Sequence, residues 1–260
     1  MLIKHKLNNY WVVLRPQLIP LIVALAVGHG VFRAPKATIS FPDPLPGYID
    51  KTGKVVIPLY GWAESFSEDL VRVRIGDEEK GKYGFVDKTG KVVVPLKYDW
   101  AENFFEGLAV VRIGDEEKGK YGFVDKTGKV VVALKYDLAV GFSEGLAGVN
   151  IGSKFNDYGK YKSGGRSGFI DRTGRVAISL KYDRADSFSE GLAGVALNDK
   201  WGFIDKTGKI MIPLQYVDID PFSEGFAWVQ TNDFGWCYID RMGNIYKTDS
   251  ISKARELQQN

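Results

Sequence analysis

Tyr83-Gly84-Phe85-Val86-Asp87-Lys88-Thr89-Gly90-Lys91-Val92-Val93-Val94-Pro95 is the stretch on which the fold turns, because it spells out an antiparallel hairpin. Asp87 and Gly90 take the first and fourth positions of a type I turn. Gly90 can adopt the left-handed conformation that forms a bulge and matches hairpin twist. Tyr83 to Asp87 and Lys91 to Val94 then pair as strands, and Pro95, like Pro58 and Pro213, has no N–H for a ladder and suits a strand end.

The hairpin text recurs. Gly-aromatic-aliphatic-Asp stands at Gly47–Asp50, Gly84–Asp87, Gly122–Asp125, Gly168–Asp171 and Gly202–Asp205, and in altered form at Cys237–Asp240, with the aspartates 37, 38, 46, 34 and 35 residues apart. A second block, Phe-Ser-Glu-Gly-Leu or close to it, begins at Phe66, Phe104, Phe142, Phe188 and Phe222. A third strand follows each block, as in Leu108 to Ile113. No segment of the repeat region keeps a helical period. Self-similarity at this period marks an architecture whose units bury their apolar faces only by stacking on neighbours.

These spaced positions, together with Trp201-Gly202, Tyr83-Gly84 and Tyr121-Gly122, resemble the bacterial WG repeat, also called the KWG repeat, over roughly residues 47 to 246. The resemblance implies a β-rich interaction module with no common catalytic site. Departures are Pro46 and Ser167 in place of the aromatic, Asp69 for the Gly of the second block, and Cys237 for the Gly of the last copy.

The expected fold is all-β: tandem three-stranded antiparallel meander repeats in an open, solenoid-like stack. Units of 34 to 38 residues are short for four-stranded propeller blades, which usually need about 40 or more. A closed five- or six-bladed propeller-like ring is the alternative. The repeat domain spans 47–246 and a polar tail 247–260.

Residues 1–46 lie outside the repeats. Lys4, Lys6 and Arg15 precede an uncharged stretch from Pro16 to Phe32 whose apolar centre is Leu18 to Val27, with Ala24, Ala26, Gly28 and Gly30 in or after it. A basic lead, a short apolar run and small residues resemble a secretory signal. We read 1–30 as a signal peptide or membrane anchor and 31–46 as a Pro-rich linker. Localisation is then extracytoplasmic, periplasmic or secreted, or alternatively membrane-anchored through residues 16–32, the only expected membrane contact. The net charge of +3 comes from this lead, which holds five basic residues against Asp43, leaving the other 214 residues close to −1. Without a basic face the repeats do not suit nucleic acid.

Catalytic look-alikes reduce to structure. Gly141-Phe142-Ser143-Glu144-Gly145 mimics a nucleophile elbow, but that chemistry needs a strand-turn-helix setting and a histidine. The only histidines are His5 and His29, and the serine recurs as Ser67, Ser189 and Ser223. A zinc site lacks ligands for the same reason, and one hairpin carboxylate per turn does not make a calcium loop. Arg74–Asp99 and Arg112–Asp137 are the same 26-residue string but for Pro95 and Ala133, and a unique active site does not sit in duplicated text. We therefore expect no enzyme, cofactor or metal.

Specificity is expected on the third strand. Val71 and Val73, Ala109 and Val111, and their equivalents stay small and apolar, whereas the intervening positions vary. Arg72, Arg74, Val110, Arg112, Asn150, Trp228 and Gln230 are the candidate binding face. The expectation is an exported, non-catalytic binding or protein-interaction module for a protein or cell-envelope ligand. The alternative is a carboxylate-dependent hydrolase of cell-surface glycans, which would show a single deep pocket with carboxylates unique to one repeat.

Overall fold

The structure, a computed structural model, describes residues 63–76, 80–154, 164–233 and 235–246. It also gives the backbone pairing of Ile3–Leu7, Tyr10–Leu14, Tyr48–Ile49 and Val55–Ile57, and of strand residues 62, 155, 162 and 163. All regular structure among the described residues is β. The apolar stretch 16–32, the linker 31–46 and the tail 247–260 lie outside them.

Six four-stranded antiparallel sheets follow one another. Sheet I joins Ile3–Leu7, Tyr10–Leu14, Tyr48–Ile49 and Val55–Ile57. Sheet II joins Trp62–Ala63, Leu70–Ile75, Lys82–Asp87 and Val92–Tyr98. Sheet III joins Trp100–Ala101, Leu108–Ile113, Lys120–Asp125 and Val130–Tyr136. Sheet IV joins Leu138–Ala139, Leu146–Ile151, Arg166–Asp171 and Val176–Tyr182. Sheet V joins Arg184–Ser189, Leu192–Leu197, Lys200–Asp205 and Ile210–Tyr216. Sheet VI joins Asp218–Ile219, Phe226–Thr231, Gly235–Asp240 and Ile245–Tyr246. We call the four strands, in this order, edge, long, signature and bulged. A short ribbon, Lys154–Phe155 with Lys162–Ser163, fills the longest spacing, inside sheet IV's meander.

The three strands expected per unit are present, with a short edge strand added beside the long strand. Each sheet straddles two sequence copies: the long strand of one, Leu70–Ile75, pairs along its length with the signature strand of the next, Leu70↔Asp87 through Ile75↔Lys82. None of the sheets closes into a barrel, and the hydrogen bonds and ring contacts described between sheets link consecutive ones, as a tandem stack requires.

The hairpin forms as its residues dictate. Asp87 N–H donates to the Lys91 carbonyl and Gly90 N–H to the Asp87 carbonyl, each at 2.9 Å, and Gly90 has φ +84°. Asp87 Oδ1 accepts from the Thr89 amide, the Thr89 hydroxyl and the Lys91 amide. The hydroxyl contact is the main reason its carboxyl is held below the usual range, as it is at Asp125, Asp171 and Asp205.

The signature glycine serves space rather than φ. Between Tyr83↔Tyr98 and Phe85↔Val94 the facing strand carries extra residues in a bulge. A Cβ on Gly84 would lie 2.6 Å from the Val94 carbonyl oxygen and 2.8 Å from the Leu96 nitrogen. Gly122, Gly168 and Gly202 are equally tight. Sheet VI shows the converse: Tyr238↔Tyr246 and Ile239↔Ile245 run in register without a bulge, and Cys237 fits, buried, where the others need glycine.

Candidate functional site

The second block builds the joints between sheets. Glu144 and Gly145 both have positive φ, +54° and +87°, and Ser143 and Leu146 exchange backbone hydrogen bonds of 2.9 and 3.1 Å, so Glu-Gly is the centre of a two-residue turn of type I′. Asp69 takes the glycine's place in the first copy, at φ +72°. The serine is no nucleophile. Ser67, Ser143 and Ser189 hydroxyls donate to the carbonyls of Phe104, Phe188 and Phe222, the first residue of the next block, at 2.7–2.8 Å.

The glutamate reaches the same way. Glu68, Glu106, Glu144 and Glu190 accept from the amides of Gly107, Gly145, Gly191 and Gly225 in the following block. Hairpin cations add to this: Lys126 lies 3.1 Å from Glu68, Lys206 3.0 Å from Glu144, and Arg172 donates to the Glu106 carbonyl. Against the opposing effect of burial, the Lys206 and Gly191 contacts hold the Glu144 carboxyl below its usual range. Edge-to-face phenylalanine pairs close each joint from inside: Phe85 with Phe104, Phe123 with Phe142, Phe169 with Phe188 and Phe203 with Phe222, centroids 4.7–4.9 Å apart. The Asp of Lys-Tyr-Asp is structural too, since Asp99, Asp137 and Asp183 pair with Lys82, Lys120 and Arg166 of their neighbouring sheet.

The candidate binding face is not one outward surface. Its residues are placed by stacking, which covers both faces of the long strand. Val110 is 1% exposed, inside the cluster that also holds Ala139 and Phe142 of sheet IV, and Asn150 is 4% exposed. Arg74 and Arg112 are half-buried against Tyr83 and Tyr121, their guanidinium carbons 5.8 and 5.7 Å from the ring centroids. Trp228 packs on Tyr238 at 4.2 Å and stacks with Trp236, and Gln230 sits opposite Asp218. Sequence reasoning assumed one open face because alternation in a single strand does not reveal a second sheet lying over it.

Position 72 and its equivalents vary because they fill the joints differently. Between sheets II and III, Arg72 pairs with Glu64 at 2.5 Å and donates to the Ala101 carbonyl of the next edge strand. Burial raises the carboxyl of Glu102, with Arg72 and the Gly141 amide opposing. Between III and IV, Val110 fills the space. Between V and VI the residue is Gly194, and Ile219 occupies the gap: its Cδ1 lies 2.3 Å from where a Gly194 Cβ would be.

Between IV and V the gap is filled only in part, by Val140, whose Cγ2 lies 3.0 Å from where a Gly148 Cβ would be. Gly148 stands at the Arg72 position, Val140 at the Glu64 position and Ser167 at that of the aromatic, and a cleft of about 670 Å³ opens over Gly148, Asn150, Ser167, Arg184, Ala185 and Asp186. Its floor is held by the Asn150 side-chain amide donating to the Ser167 hydroxyl at 2.8 Å and Asn150 Oδ1 accepting from Ser153 N–H. Asp183, at the rim, is engaged at both oxygens, by Arg166 at 2.5 Å and the Asn198 amide at 2.7 Å. Arg184 pairs with the exposed Asp199 at 3.5 Å and lies over the Trp201 ring. Asp186 differs: burial first, then the neighbouring Asp218 and Asp220, against Arg184, push its carboxyl up to about 6.

A stack of antiparallel sheets joined by one recurrent hydrogen-bonded block defines a β-rich repeat protein. The chain matches the WG containing repeat family at residues 47–78, 83–116, 121–155, 168–201 and 201–233, and it belongs to that family. A comparison with curated proteins gives no match. Among solved structures it is similar to a eukaryotic initiation factor (12% identity, TM-score 0.42, covering 70% of this chain and 52% of that one). It is also similar to the WD40 β-propeller domain of Doa1 (12%, 0.35, 70% and 66%) and to TolB from Acinetobacter baumannii (13%, 0.35, 77% and 58%). The chain thus spans about half the length of the first of these.

Proposed function

We propose that the chain is a non-catalytic binding module, exported from the cytoplasm, that presents unit-specific spaces on a common scaffold to a protein or cell-envelope ligand. The observation that carries this reading is the division of labour in each unit. Glu and Phe of the second block recur and make the same joint, with Ser67, Ser143 and Ser189 adding to three of them, whereas the residue facing the joint changes from Arg72 to Val110 to Gly148 to Gly194. Constant joints with variable fillings are how repeat arrays acquire binding sites without losing stability.

The cleft between sheets IV and V favours binding over hydrolysis. A glycosidase needs two carboxylates free to act. Of the three carboxylates lining the cleft, Asp183 is tied at both oxygens and Asp199 is on the surface with Arg184, while Asp218 and Asp220, whose charges reach Asp186, are not part of the lining.

Export is tested with a reporter fused after Phe41, which should reach the extracytoplasmic side; cytoplasmic retention with an intact N-terminus overturns that part. Binding is tested by using the chain as bait against the native envelope. A specific retained partner supports the module, and turnover of a glycan panel by the purified chain, abolished by Asp186→Asn, overturns it in favour of the hydrolase. Mass spectrometry of the exported chain adds a structural readout, because removal of the lead would leave sheet I only Tyr48–Ile49 and Val55–Ile57.

A further inference from the structure

The joint between sheets II and III carries its own ligand. The Arg72 guanidinium lies between the Glu64 carboxylate and the Ala101 carbonyl, with Glu102 close enough to be influenced by its charge. The same architecture recurs one period apart, so the joint between IV and V can be compared with it position by position. Ala185 corresponds to Ala101 and Asp186 to Glu102, while Gly148 has lost the side chain that would meet them. A Cβ on Gly148 would begin 3.0 Å from Val140 Cγ2, which would have to give by a few tenths of an ångström, and 3.6 Å from the Ala185 carbonyl oxygen, the counterpart of the carbonyl that Arg72 reaches. The counterparts of the Ala101 carbonyl and the Glu102 carboxylate remain, Val140 replaces Glu64, and the guanidinium is missing.

We propose that the cleft between sheets IV and V binds an alkylguanidinium group, which takes the place that Arg72 fills in the joint between II and III, with Asp186 and the Ala185 carbonyl as its acceptors. The charge of the site agrees. The charges of Asp218 and Asp220, on and just after the neighbouring edge strand, reach Asp186, and Arg184, the cation whose charge also reaches it, pairs with Asp199 and lies over Trp201. A planar guanidinium presents several donors to a carboxylate and a carbonyl at once, which a single ammonium matches less well. The apolar walls, Val140, Ala139 and Leu138, suit the methylene stem behind the head group. The guanidinium can come from a free small molecule or from an arginine side chain of a bound peptide.

The inference rests on the binding-module reading and names its ligand chemistry. The test is calorimetric titration of the full chain at pH 7.5 with n-butylguanidine, with its neutral isostere N-butylurea, and with the peptide Gly-Gly-Arg-Gly-Gly amide. We expect saturable one-to-one binding of n-butylguanidine, at least about tenfold weaker binding of the urea, and at least about tenfold loss in Asp186→Asn. Gly148→Arg, which supplies an internal guanidinium, should abolish binding and raise the melting temperature. Should that variant fail to fold, Gly148→Arg with Val140→Glu rebuilds the Arg72–Glu64 pair and should do the same. A peptide that binds more tightly than n-butylguanidine points to an arginine of a protein partner, and the reverse to a free guanidine. Three results each overturn the proposal: no saturable heat from either cation up to about 10 mM with folded chain, urea binding as well as guanidine, or binding unchanged in Asp186→Asn. A chain that retains envelope partners yet binds neither cation overturns this inference alone and leaves the module reading standing.

Discussion

Replacing Glu144 by Ala should loosen the joint between sheets IV and V by an amount that the structure allows to be worked out. The carboxylate accepts from Gly191 N–H at 3.0 and 3.1 Å and from Lys206 at 3.0 Å, with its side chain 28% exposed. A hydrogen bond to a charged acceptor is worth about 1.5–3 kcal/mol when protected from water. The ion pair with a half-exposed lysine adds about 0–1 kcal/mol. Because the site is partly wet, we take the low end of the first figure and expect a loss of about 1.5–2 kcal/mol for Glu144→Ala. Glu144→Gln keeps an acceptor for Gly191 and loses only the charge, so it should cost about 0.5 kcal/mol.

Thermal melting of the purified chain provides the assay, with a fall of about 3–8 °C for the alanine variant. The pH dependence checks the cause. The folded carboxyl lies below its ordinary value, so the stabilisation is complete above that value and is lost as pH falls through the depressed folded one. The gap between wild type and Glu144→Ala should therefore close in acid. Equal stability of the alanine variant at neutral pH, or a gap independent of pH, would refute the claim that this glutamate staples consecutive sheets.

Gly84→Ala should cost about 2 kcal/mol or more, because its Cβ would meet backbone atoms of the bulge at 2.6–2.9 Å, whereas Cys237→Ala, where no bulge exists, should cost less; equal melting shifts would remove the steric account. Asp186→Asn should stabilise the chain by about 1–2 kcal/mol at pH 7.5, since a carboxyl raised to about 6 contributes stability in its protonated form that is lost as pH rises through that value; the gain should shrink towards pH 4, and a constant offset in urea unfolding would contradict it. Deleting Leu70 through Gly107 removes one period and fuses Asp69 to Leu108. An open stack should stay cooperative by circular dichroism with a modestly lower melting temperature, and loss of the cooperative β transition would favour a closed ring.

The hairpin and the repeat were legible because both are local: Asp, Thr and Gly of the turn determine φ and hydrogen bonds within five residues. The serine and glutamate of the second block were visible as recurrent but not as staples, since their partners lie 33 to 47 residues away in the next copy. Recurrence of a glutamate beside the turn glycine was the available signal, and the positive φ it keeps there agrees with a compensating contact. The cleft was illegible for a different reason. It arises from side chains that are absent, and Gly148 announces itself only beside Arg72 and Val110 at the same register.

That comparison also explains where the chain can change. The duplicated 26 residues, Arg74–Asp99 and Arg112–Asp137, cover the end of the long strand, the whole signature strand and the bulged strand. They form the parts of each sheet that carry the bulge, the signature glycine and the Asp-cation ion pair, which sheet IV repeats with a different bulged strand and with Arg166 for the lysine. The window between the duplicated strings holds the edge strand, the block and the start of the long strand. There the recurrent Phe and Glu alternate with positions that change along the chain: Trp62, Trp100, Leu138, Arg184 and Asp218 on the edge strands, Arg72, Val110, Gly148, Gly194 and Trp228 on the long strands. Both series lie beside joints already held by the staple and the phenylalanine pair. A substitution in either series therefore alters what fills the joint without removing what closes it, and an emptied joint, such as the one at Gly148, becomes a site while the stack around it persists.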